Sequence, residues 1–588
     1  MTDGVLEGAA VQQKTTASAD APSGPRDLAA DQWWRRAVIY QVYVRSFADG
    51  NGDGIGDLAG VRSKLQYLAD LGVDAIWFTP WYVSPLADGG YDVADYRAID
   101  PAFGSLEEAE QLIAEAKALG IRTIVDIVPN HVSDQHAWFQ AALAAGPGSP
   151  ERARFWFRPG RGKNCDEMPN AWVSNFWGTT WTRTTNPDGT PGEWYLHLFS
   201  PEQPDLNWDH PEVRAEHEAV LKFWFDRGVA GVRIDSAALL VKDPELPEVP
   251  ADPKPGQHPN TDRDELHVIY RGWRAVADSY PDERILVGEI WLPDPDMERF
   301  AKYLRPDELH TAFNFDFLGR PWNAAGLRES IDTTLAAHAP VGAPPTWVLS
   351  NHDVTRPVTR YGQEDTAFAF ATKRAGTPTN LDLGRRRSRA AAMLCAALPG
   401  SLYIYQGEEL GLDEVQDLPD EQRQDPMYHR SGGTDPGRDG CRVPLPWAGS
   451  EPPFGFSPAG ATGKPWLPQP RHWAALTVEA EQGDAGSMLS LYRRMLRIRR
   501  NEPDLARGGL RWLPSGAEVL AFARGEGFVS VTNLSPAPIE LPAEASVLLA
   551  SADLAGGLLP SDATAWLRPD RLQTEDRFLR FPTVGGEC

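Results

Sequence analysis

The chain has 588 residues, 42% of them hydrophobic and 24% charged, which is enough for a large catalytic domain and one or two smaller ones. Its formal net charge of −25 disfavours nucleic acids and anionic membrane surfaces as partners and suits a small neutral substrate. The four cysteines (Cys165, Cys395, Cys441 and Cys588) are widely spaced, so reduced thiols in a cytoplasmic protein are expected.

The N-terminal residues 1–32 lack a basic segment followed by an apolar one. They predict a disordered tail rather than a signal peptide. No later apolar stretch is long enough to span a bilayer, so no membrane association is expected.

Apolar strands and amphipathic helices then alternate from Val38 onward. After His131 the alternation stops for residues 132–200, which are rich in Trp, Pro, Gly and Asn, and it resumes afterwards. The predicted strands are 38–43, 73–80, 121–131, 229–235, 284–291, 310–317, 346–353 and 401–411. Eight βα units predict an α/β fold, a (β/α)8 TIM barrel with an insertion after its third strand.

The pattern changes again near Leu505, where short strands separated by turns predict a small antiparallel β domain. The predicted organisation is a tail (1–32), a catalytic barrel (33–131 and 201–500), a B domain (132–200) and a C-terminal β domain (501–588).

Acidic side chains follow four of the predicted strands. Asp126, Asp235, Glu289 and Asp353 end strands three, four, five and seven, where barrel enzymes place their catalytic groups. Side chains alternate along a strand, so Arg233 and Asp235 share a face. The arginine would then keep the Asp235 carboxylate ionised at neutral pH.

Seven segments in order carry a family resemblance. DIVPNH (126–131), GVRIDSAAL (231–239), VGEIW (287–291) and LSNHD (349–353) resemble the four signature regions of the α-amylase family of glycoside hydrolases. GGYDVADY (89–96), QPDLNW (203–208) and GRDGCRVPLPW (437–447) are similar to its oligo-1,6-glucosidase and α-glucosidase branch. The resemblance implies a barrel, a B domain after strand three and a C-terminal β-sandwich.

The resemblance also implies residue roles. Asp235 is expected to be the nucleophile, Glu289 the general acid/base in a less polar setting, and Asp353 the acid that orients sugar hydroxyls. The expected substrate-binding residues are His131, His352, Arg233, Tyr91, Asp92 and Arg438. Asp92 and Arg438 resemble the pair that closes the pocket around a non-reducing end, and Tyr91 either stacks under the sugar or packs in the core.

A second chemical motif is DGNGDGIGD, residues 49–57. It places oxygen ligands at alternating positions: Asp49, Asn51, Asp53, the Ile55 carbonyl and Asp57. The twelfth position is Gly60 rather than Glu, so the loop is not an EF-hand. In the branch it resembles, this loop holds a structural Ca²⁺ or Mg²⁺; a metal-free polar turn is the alternative. No organic cofactor is expected.

The predicted function is that of an exo-acting retaining α-glucosidase acting on malto-oligosaccharides, with transglucosylation, as a monomer or homodimer. An α-1,4 preference is expected because Ser236 stands where α-1,6-preferring relatives carry valine. The alternative is a trehalose synthase-like or sucrose-active glucosyl-transferring enzyme. A non-catalytic homologue is disfavoured because the chain keeps all three acids.

Overall fold

The computed structural model describes residues 32–186, 188–292, 296–370 and 373–569. The predicted N-terminal tail lies outside the described residues except for residue 32, as does the end of the predicted C-terminal domain, residues 570–588. Among the helices that are described, none is long and apolar enough to cross a membrane.

Eight parallel strands form the central sheet, and each of the eight predicted strand segments contains one of them. They are β1 (Val38–Val42), β2 (Ala75–Phe78), β3 (Arg122–Ile127), β4 (Gly231–Ile234), β5 (Ile285–Gly288), β6 (Thr311–Ala312), β7 (Thr346–Val348) and β8 (Ser401–Tyr405). Their order is β6-β5-β4-β3-β2-β1-β8-β7, and a hydrogen bond between the Thr311 and Thr346 hydroxyls joins the two outermost strands. The sheet therefore curves into the predicted barrel.

Alternation along the strands separates two apolar layers. Ile39, Trp77, Ile124, Val287 and Tyr403 belong to one buried cluster inside the barrel. Their neighbours along the strands belong to the larger cluster that includes the surrounding helices. Burial on both faces explains why these strands are almost wholly apolar in sequence.

Helices surround the barrel and begin and end where the sequence indicates. Ser105 forms a capping box with Glu108 at the start of one helix, and Gly72 ends another in the left-handed conformation with φ of 101°. The described helices in and around the barrel are Leu58–Ser63, Leu65–Leu71, Leu106–Ala118, Pro211–Asp226, Leu266–Asp278, Met297–Lys302, Phe315–Gly319, Ala324–His338, Pro357–Gly362, Leu381–Ala397, Pro426–Arg430, Val478–Gln482, Met488–Asn501 and Pro503–Arg507.

The sixth strand is much shorter than predicted. Only Thr311–Ala312 pairs with β5, and the chain turns into the helix Phe315–Gly319 where a strand was expected. The Asn314 side chain caps this helix by accepting a hydrogen bond from the Phe317 amide, 3.0 Å away. A local cap therefore outweighs the β propensity of the aromatic residues.

The long excursion after β3 contains the helix Ala137–Ala145 and a sheet of three strands, Phe157–Arg158, Trp181–Thr185 and Pro191–Leu196. It has its own core, in which Trp156, Trp172 and Trp181 pack with Leu196 and Leu198. Leu246, from the loop after β4, joins this core. The excursion is therefore anchored beside the carboxyl ends of β3 and β4.

The C-terminal part is an antiparallel sheet of five strands, Leu510–Trp512, Val519–Arg524, Phe528–Asn533, Ala563–Pro569 and Ala545–Ala550, with a two-stranded ribbon, Ile539–Glu540 and Leu558–Leu559. Trp566, from one face of the sheet, donates a hydrogen bond to the Met393 carbonyl of a barrel helix. Leu567, from the other face, joins a separate cluster that includes Leu559 of the ribbon. The sheet thus has one face on the barrel and one under the ribbon.

Candidate active site

The site is built where β3, β4 and β5 lie side by side. Asp126 on β3 and Arg233 on β4 are register partners, and Val287 on β5 is the next partner of Arg233. Asp235 lies two residues beyond Arg233 and Glu289 two beyond Val287. Because alternate residues share a face, the strands direct all four ionisable side chains to the same place.

Arg233 is the centre of this cluster. Its side chain is 1% exposed, and its Nη1 lies 2.9 Å from Asp126 Oδ1 and 2.8 Å from Asp235 Oδ1. Its Nη2 lies 2.6 Å from Glu289 Oε2. The expectation that Arg233 serves Asp235 while Glu289 sits in a less polar setting is therefore wrong, because one guanidinium contacts three carboxyl groups.

The pKa values of Asp235 and Glu289 are nevertheless different. Burial raises the pKa of Asp235 to about 6 and that of Glu289 to about 7, and Arg233 opposes both shifts. The remaining charge of Asp235 contributes to the rise in the pKa of Glu289. The order of these values means that Glu289 holds a proton more readily than Asp235, which is the order that a general acid and a nucleophile require.

Asp353 has the opposite environment. Its Oδ1 lies 2.7 Å from Arg442 Nη2 and 3.1 Å from Arg438 Nη1. Burial opposes ionisation, but His352 and the two arginines hold the pKa of Asp353 well below its usual range. This carboxylate is a fixed negative charge and hydrogen-bond acceptor at any working pH.

Arg438 lies at the buried end of the site, and its partner there is Asp88 rather than Asp92. The distance from Arg438 Nη2 to Asp88 Oδ1 is 2.6 Å, and Arg438 Nε lies 2.7 Å from Asp425 Oδ2. Asp92 is fully buried and accepts hydrogen bonds from Ser84 Oγ and the Ala87 amide, both at 2.9 Å. The prediction that Asp92 pairs with Arg438 is wrong by four residues, since Asp92 holds the loop that presents Asp88.

The two predicted histidines are buried and neutral. Burial lowers the pKa of His131 to about 3 and that of His352 well below its usual range. His352 Nδ1 lies 2.7 Å from the Gln41 side-chain amide, which leaves the proton on Nε2. That Nε2 is buried without a hydrogen-bond partner and lies 3.5 Å from Asp353 Oδ2. It is therefore a donor without an acceptor, beside the Asp353 carboxylate.

Tyr91 lies between the histidines and the acids. Its hydroxyl donates to Asp126 Oδ2 at 2.9 Å, and its ring stacks on His352 at 5.2 Å with an angle of 11°. The carbonyl of Tyr91 lies 3.1 Å from His131 Nε2. The ring forms part of the site wall, and its stacking under a sugar stays a prediction.

A cavity of about 480 Å³ lies among these groups, and three predicted site residues, Asp92, Arg233 and His352, are not part of its lining. Its lining residues are Asp88, Tyr91, His131, Asn175, Phe176, Phe199, Asp235, Ser236, Ala238, Leu239, Thr261, Glu289, Trp291, Leu292, Asp353, Phe370 and Arg438. Arg438 is 5% exposed, whereas Trp291 is 37% and Phe370 42% exposed. The cavity therefore has a charged, buried end and an aromatic, open end. A larger cavity of about 910 Å³, between the Leu381–Ala397 helix and the C-terminal sheet, contains none of the predicted site residues.

Ser236 has a backbone conformation that L-residues rarely adopt, with φ of 47°. This turn directs its backbone N–H at Glu289 Oε2, 3.0 Å away. The unusual backbone after Asp235 therefore fixes the position of the Glu289 carboxyl.

Several site residues were missed by sequence reasoning. Asp88 directly precedes the motif of residues 89–96, and Arg442 lies within the motif of residues 437–447. In both motifs, roles were predicted for other residues. Gln203, whose side-chain amide lies 3.0 Å from both Asp88 Oδ2 and His131 Nε2, is the first residue of a quoted motif. Asp425 lies outside every recognised motif, and only the fold brings it to Arg438.

The predicted metal loop is ordered by its own hydrogen bonds. Asp49 accepts from the amides of Gly52 and Gly54 at 2.6 and 2.9 Å, and Asp57 accepts from Gly60 at 2.6 Å. The ligand types suit Ca²⁺, but these oxygens point at backbone amides. In the described part of the chain, no group of three or more His, Cys, Asp or Glu side chains is arranged to hold a metal. Metal binding by Asp49, Asn51, Asp53, Ile55 and Asp57 stays a prediction.

A parallel barrel with several carboxylates at the carboxyl ends of its strands is typical of an enzyme active site. Comparison with known proteins identifies the class of enzyme. Residues 41–508 match the model of the α-amylase catalytic domain, so the chain belongs to the α-amylase family and is a glycoside hydrolase.

Three similar proteins narrow the class. A probable α-glucosidase of Rhizobium meliloti is 36% identical over 512 residues, 84% of this chain and 87% of that one. An oligo-1,6-glucosidase of Parageobacillus thermoglucosidasius is 34% identical over 518 residues, 81% of this chain and 85% of that one. The crystal structure of the α-glucosyl transfer enzyme XgtA superposes with a TM-score of 0.79 at 35% identity, covering 92% of this chain and all of that one.

Proposed function

We propose that this protein is an exo-acting retaining α-glucosidase that removes glucose from the non-reducing ends of malto-oligosaccharides and also transfers it to acceptor sugars. The observation that carries the proposal is the shared contact of Asp235 and Glu289 with Arg233, at 2.8 and 2.6 Å, inside a cavity with one buried end. Sharing one guanidinium holds the two carboxyl groups close together. Retaining glycosidases need a separation of about 5–5.5 Å, whereas inverting ones need room for a water between the groups.

In the first step, an Asp235 oxygen attacks the anomeric carbon while the bond from that carbon to the leaving oxygen breaks. Glu289 gives its proton to the leaving oxygen, so the aglycone departs as an alcohol. Glu289, now ionised, then takes a proton from water as the water oxygen displaces Asp235 from the same carbon. Two inversions leave the product as the α-anomer. Asp353 and His352 orient the sugar hydroxyls throughout.

Exo-action follows from the charged end of the cavity. Arg438 joins Asp88 and Asp353 there through contacts of 2.6 and 3.1 Å, and all three side chains present polar atoms to a ring. A chain that continued past this end would have to separate the ion pairs, which are buried. We therefore expect a single glucose unit on the buried side of the acids.

Glucosyl transfer is the second candidate for the main activity. The open end of the cavity presents the aromatic rings of Trp291 and Phe370 beside Glu289. Such rings bind sugar faces and displace water, which favours an acceptor sugar over hydrolysis. The similarity to a glucosyl transfer enzyme supports the same alternative.

A product profile separates the two candidates. The purified protein would be given maltose, isomaltose, trehalose and sucrose separately, with products identified by chromatography and the anomer released first identified by proton NMR. Glucose released from maltose as the α-anomer supports the proposal, whereas isomeric disaccharides as the main products support transfer. β-Glucose as first product, or unchanged turnover in a folded Asp235→Asn variant, would contradict the proposed mechanism.

The α-1,4 preference rests on Ser236, which lines the cavity directly after the nucleophile. A small side chain leaves room for the closer α-1,4-linked ring, whereas valine would favour the longer α-1,6 linkage by contact. One methylene-sized contact changes the ratio of the two rates by roughly 10- to 200-fold.

We therefore expect the wild type to cleave maltose faster than isomaltose and Ser236→Val to shift the ratio toward isomaltose. Because branched side chains are strained at φ of 47°, Ser236→Thr is the matched control: it has the branched shape of valine and keeps the hydroxyl. An equal ratio in wild type and both variants would show that Ser236 does not determine linkage choice. We also propose a cytoplasmic location, a monomeric or homodimeric state, and a metal in the 49–57 loop.

A further inference from the structure

Glu289 has two oxygens with very different surroundings. Oε2 lies 2.6 Å from Arg233 Nη2 and accepts a hydrogen bond from the Ser236 amide at 3.0 Å. Two donors aimed at one oxygen leave no room for a proton on it. Oε1 has one donor in contact, the indole Nε1 of Trp291 at 3.2 Å. The proton that Glu289 delivers must therefore sit on Oε1, beside the indole.

Trp291 is held in place from behind. Its ring lies parallel to that of Phe315, with ring centres 3.8 Å apart and an angle of 6°. Phe315 is 7% exposed and belongs to the cluster inside the barrel, so the support is rigid. Phe368 and Phe370 lie at the sides, at 6.0 and 6.2 Å. The direction of the indole N–H is consequently set by packing.

We propose that Trp291 is a positioning residue for the acid/base step: its N–H fixes the direction of Glu289 Oε1, and its ring contacts the acceptor sugar on the same side. This inference rests on the proposed role of Glu289. The indole donates to one lone pair of Oε1, which leaves the other for the catalytic proton. When that proton moves to the leaving oxygen and the glycosidic bond breaks, the indole N–H remains on the new carboxylate and stabilises it.

The consequence is a defined pH effect. The charged groups that face Glu289 are Arg233, Asp235 and Asp353, and Trp291 adds an uncharged hydrogen-bond donor to them. A donor on a carboxylate favours its ionised form, so removal of the indole N–H raises the pKa of Glu289. Glu289 must be protonated to act as the acid, and the basic limb of the pH profile therefore moves to higher pH.

The test is Trp291→Phe, which keeps a ring on Phe315 and removes only the donor. Trp291 is 37% exposed at the rim, so the variant is expected to fold, and a thermal melt checks this. The profile of kcat/KM against pH for maltose should show its basic limb raised by about 1–2 pH units, the size expected for one hydrogen bond to a charged group. At its optimum, kcat/KM for maltose should fall by roughly 10- to 100-fold, and that for 4-nitrophenyl α-glucoside by much less, because the aryl leaving group needs little protonation.

Phe370→Leu is the matched control. It removes an exposed ring from the same cavity without touching Glu289, and the closer stacking of Trp291 on Phe315 remains, so it should change KM for maltose and leave both pH limbs in place. A folded Trp291→Phe with an unmoved basic limb and equal losses on both substrates would overturn the inference. Glu289→Gln distinguishes that result from failure of the proposed function: if it keeps full activity on maltose, the acid/base assignment itself is wrong.

Discussion

Removal of the Arg233 charge should move both limbs of the profile of kcat/KM against pH to higher pH. Asp235 must be ionised and Glu289 protonated, so kcat/KM in the wild type should follow a bell with limbs near the pKa values of about 6 and about 7. In Arg233→Gln, both carboxyls lose a cation that lies 2.8 and 2.6 Å from their oxygens. Loss of a cation raises a carboxyl pKa, so both limbs move to higher pH.

The size of the shift follows from the contact distances. Two unit charges centred about 4 Å apart interact by about 4 kcal/mol at an effective dielectric constant of about 20. That energy corresponds to up to about three pKa units, which would place the pKa of Asp235 near 9. Near pH 6.5, about one molecule in 300 would then hold an ionised nucleophile, so kcat/KM should fall by two to three orders of magnitude and recover about tenfold per pH unit.

The assay is kcat/KM for maltose between pH 5 and about pH 10, with folding checked by thermal melting at each pH. Arg233→Lys is the control, because it keeps the charge while a single ammonium cannot bond all three carboxyls at once. Its profile should lie between those of the wild type and Arg233→Gln. A folded Arg233→Gln with a large loss but unmoved limbs would refute the reasoning, because the arginine would then act only by shape.

Two further results are expected. Glu289→Gln should lose far more activity on maltose than on 4-nitrophenyl α-glucoside, because the activated leaving group departs with little proton assistance; equal losses measured in parallel would argue against Glu289 as the acid. Chelation or Asp53→Ala should lower the melting temperature more than the turnover of folded molecules, since the loop contacts the segment 463–466 through hydrogen bonds of 3.0 and 3.1 Å and lies outside the cavity; unchanged melting with a large loss of turnover would show that the predicted structural role is wrong.

The sequence predicts the barrel because its strands are buried on both faces. The strands are continuous apolar runs, in which residues such as Trp77 and Tyr403 face the inside of the barrel and their neighbours face the surrounding helices. Few folds other than a parallel barrel bury both faces of so many strands. The common face of Arg233 and Asp235 follows from the two-residue period of a strand. The contact of Arg233 with Asp126 depends instead on the register between β3 and β4, which no local pattern contains. The sharing of one guanidinium by three carboxyls was therefore not predictable.

At the buried end of the cavity, loop conformation likewise limits what can be predicted from the sequence. The motif of residues 89–96 and its preceding loop contain two aspartates four residues apart, Asp88 and Asp92. Which of them meets Arg438 depends on the turn between them, where Asp92 accepts hydrogen bonds from the Ala87 and Asp88 amides at 2.9 and 3.1 Å. An aspartate that satisfies local amides cannot also face the cavity. Composition and spacing do not determine which of the two aspartates contacts Arg438. The path of the backbone determines it.

The division of cations among the acids explains how one carboxyl can act first as acid and then as base. Asp353 has two arginines and stays ionised, whereas Asp126, Asp235 and Glu289 share the single charge of Arg233. Three carboxylates beside one buried cation disfavour one another's charge, so a proton is retained in the cluster, and Glu289 and Asp126, each with a pKa raised to about 7, hold it more readily than Asp235 does. In the proposed mechanism Asp235 becomes an ester with the sugar, and its negative charge then disappears from the cluster. Since that charge helps to raise the pKa of Glu289, the pKa falls when the proton has just been spent, and the ionised Glu289 is ready to activate water or an acceptor hydroxyl.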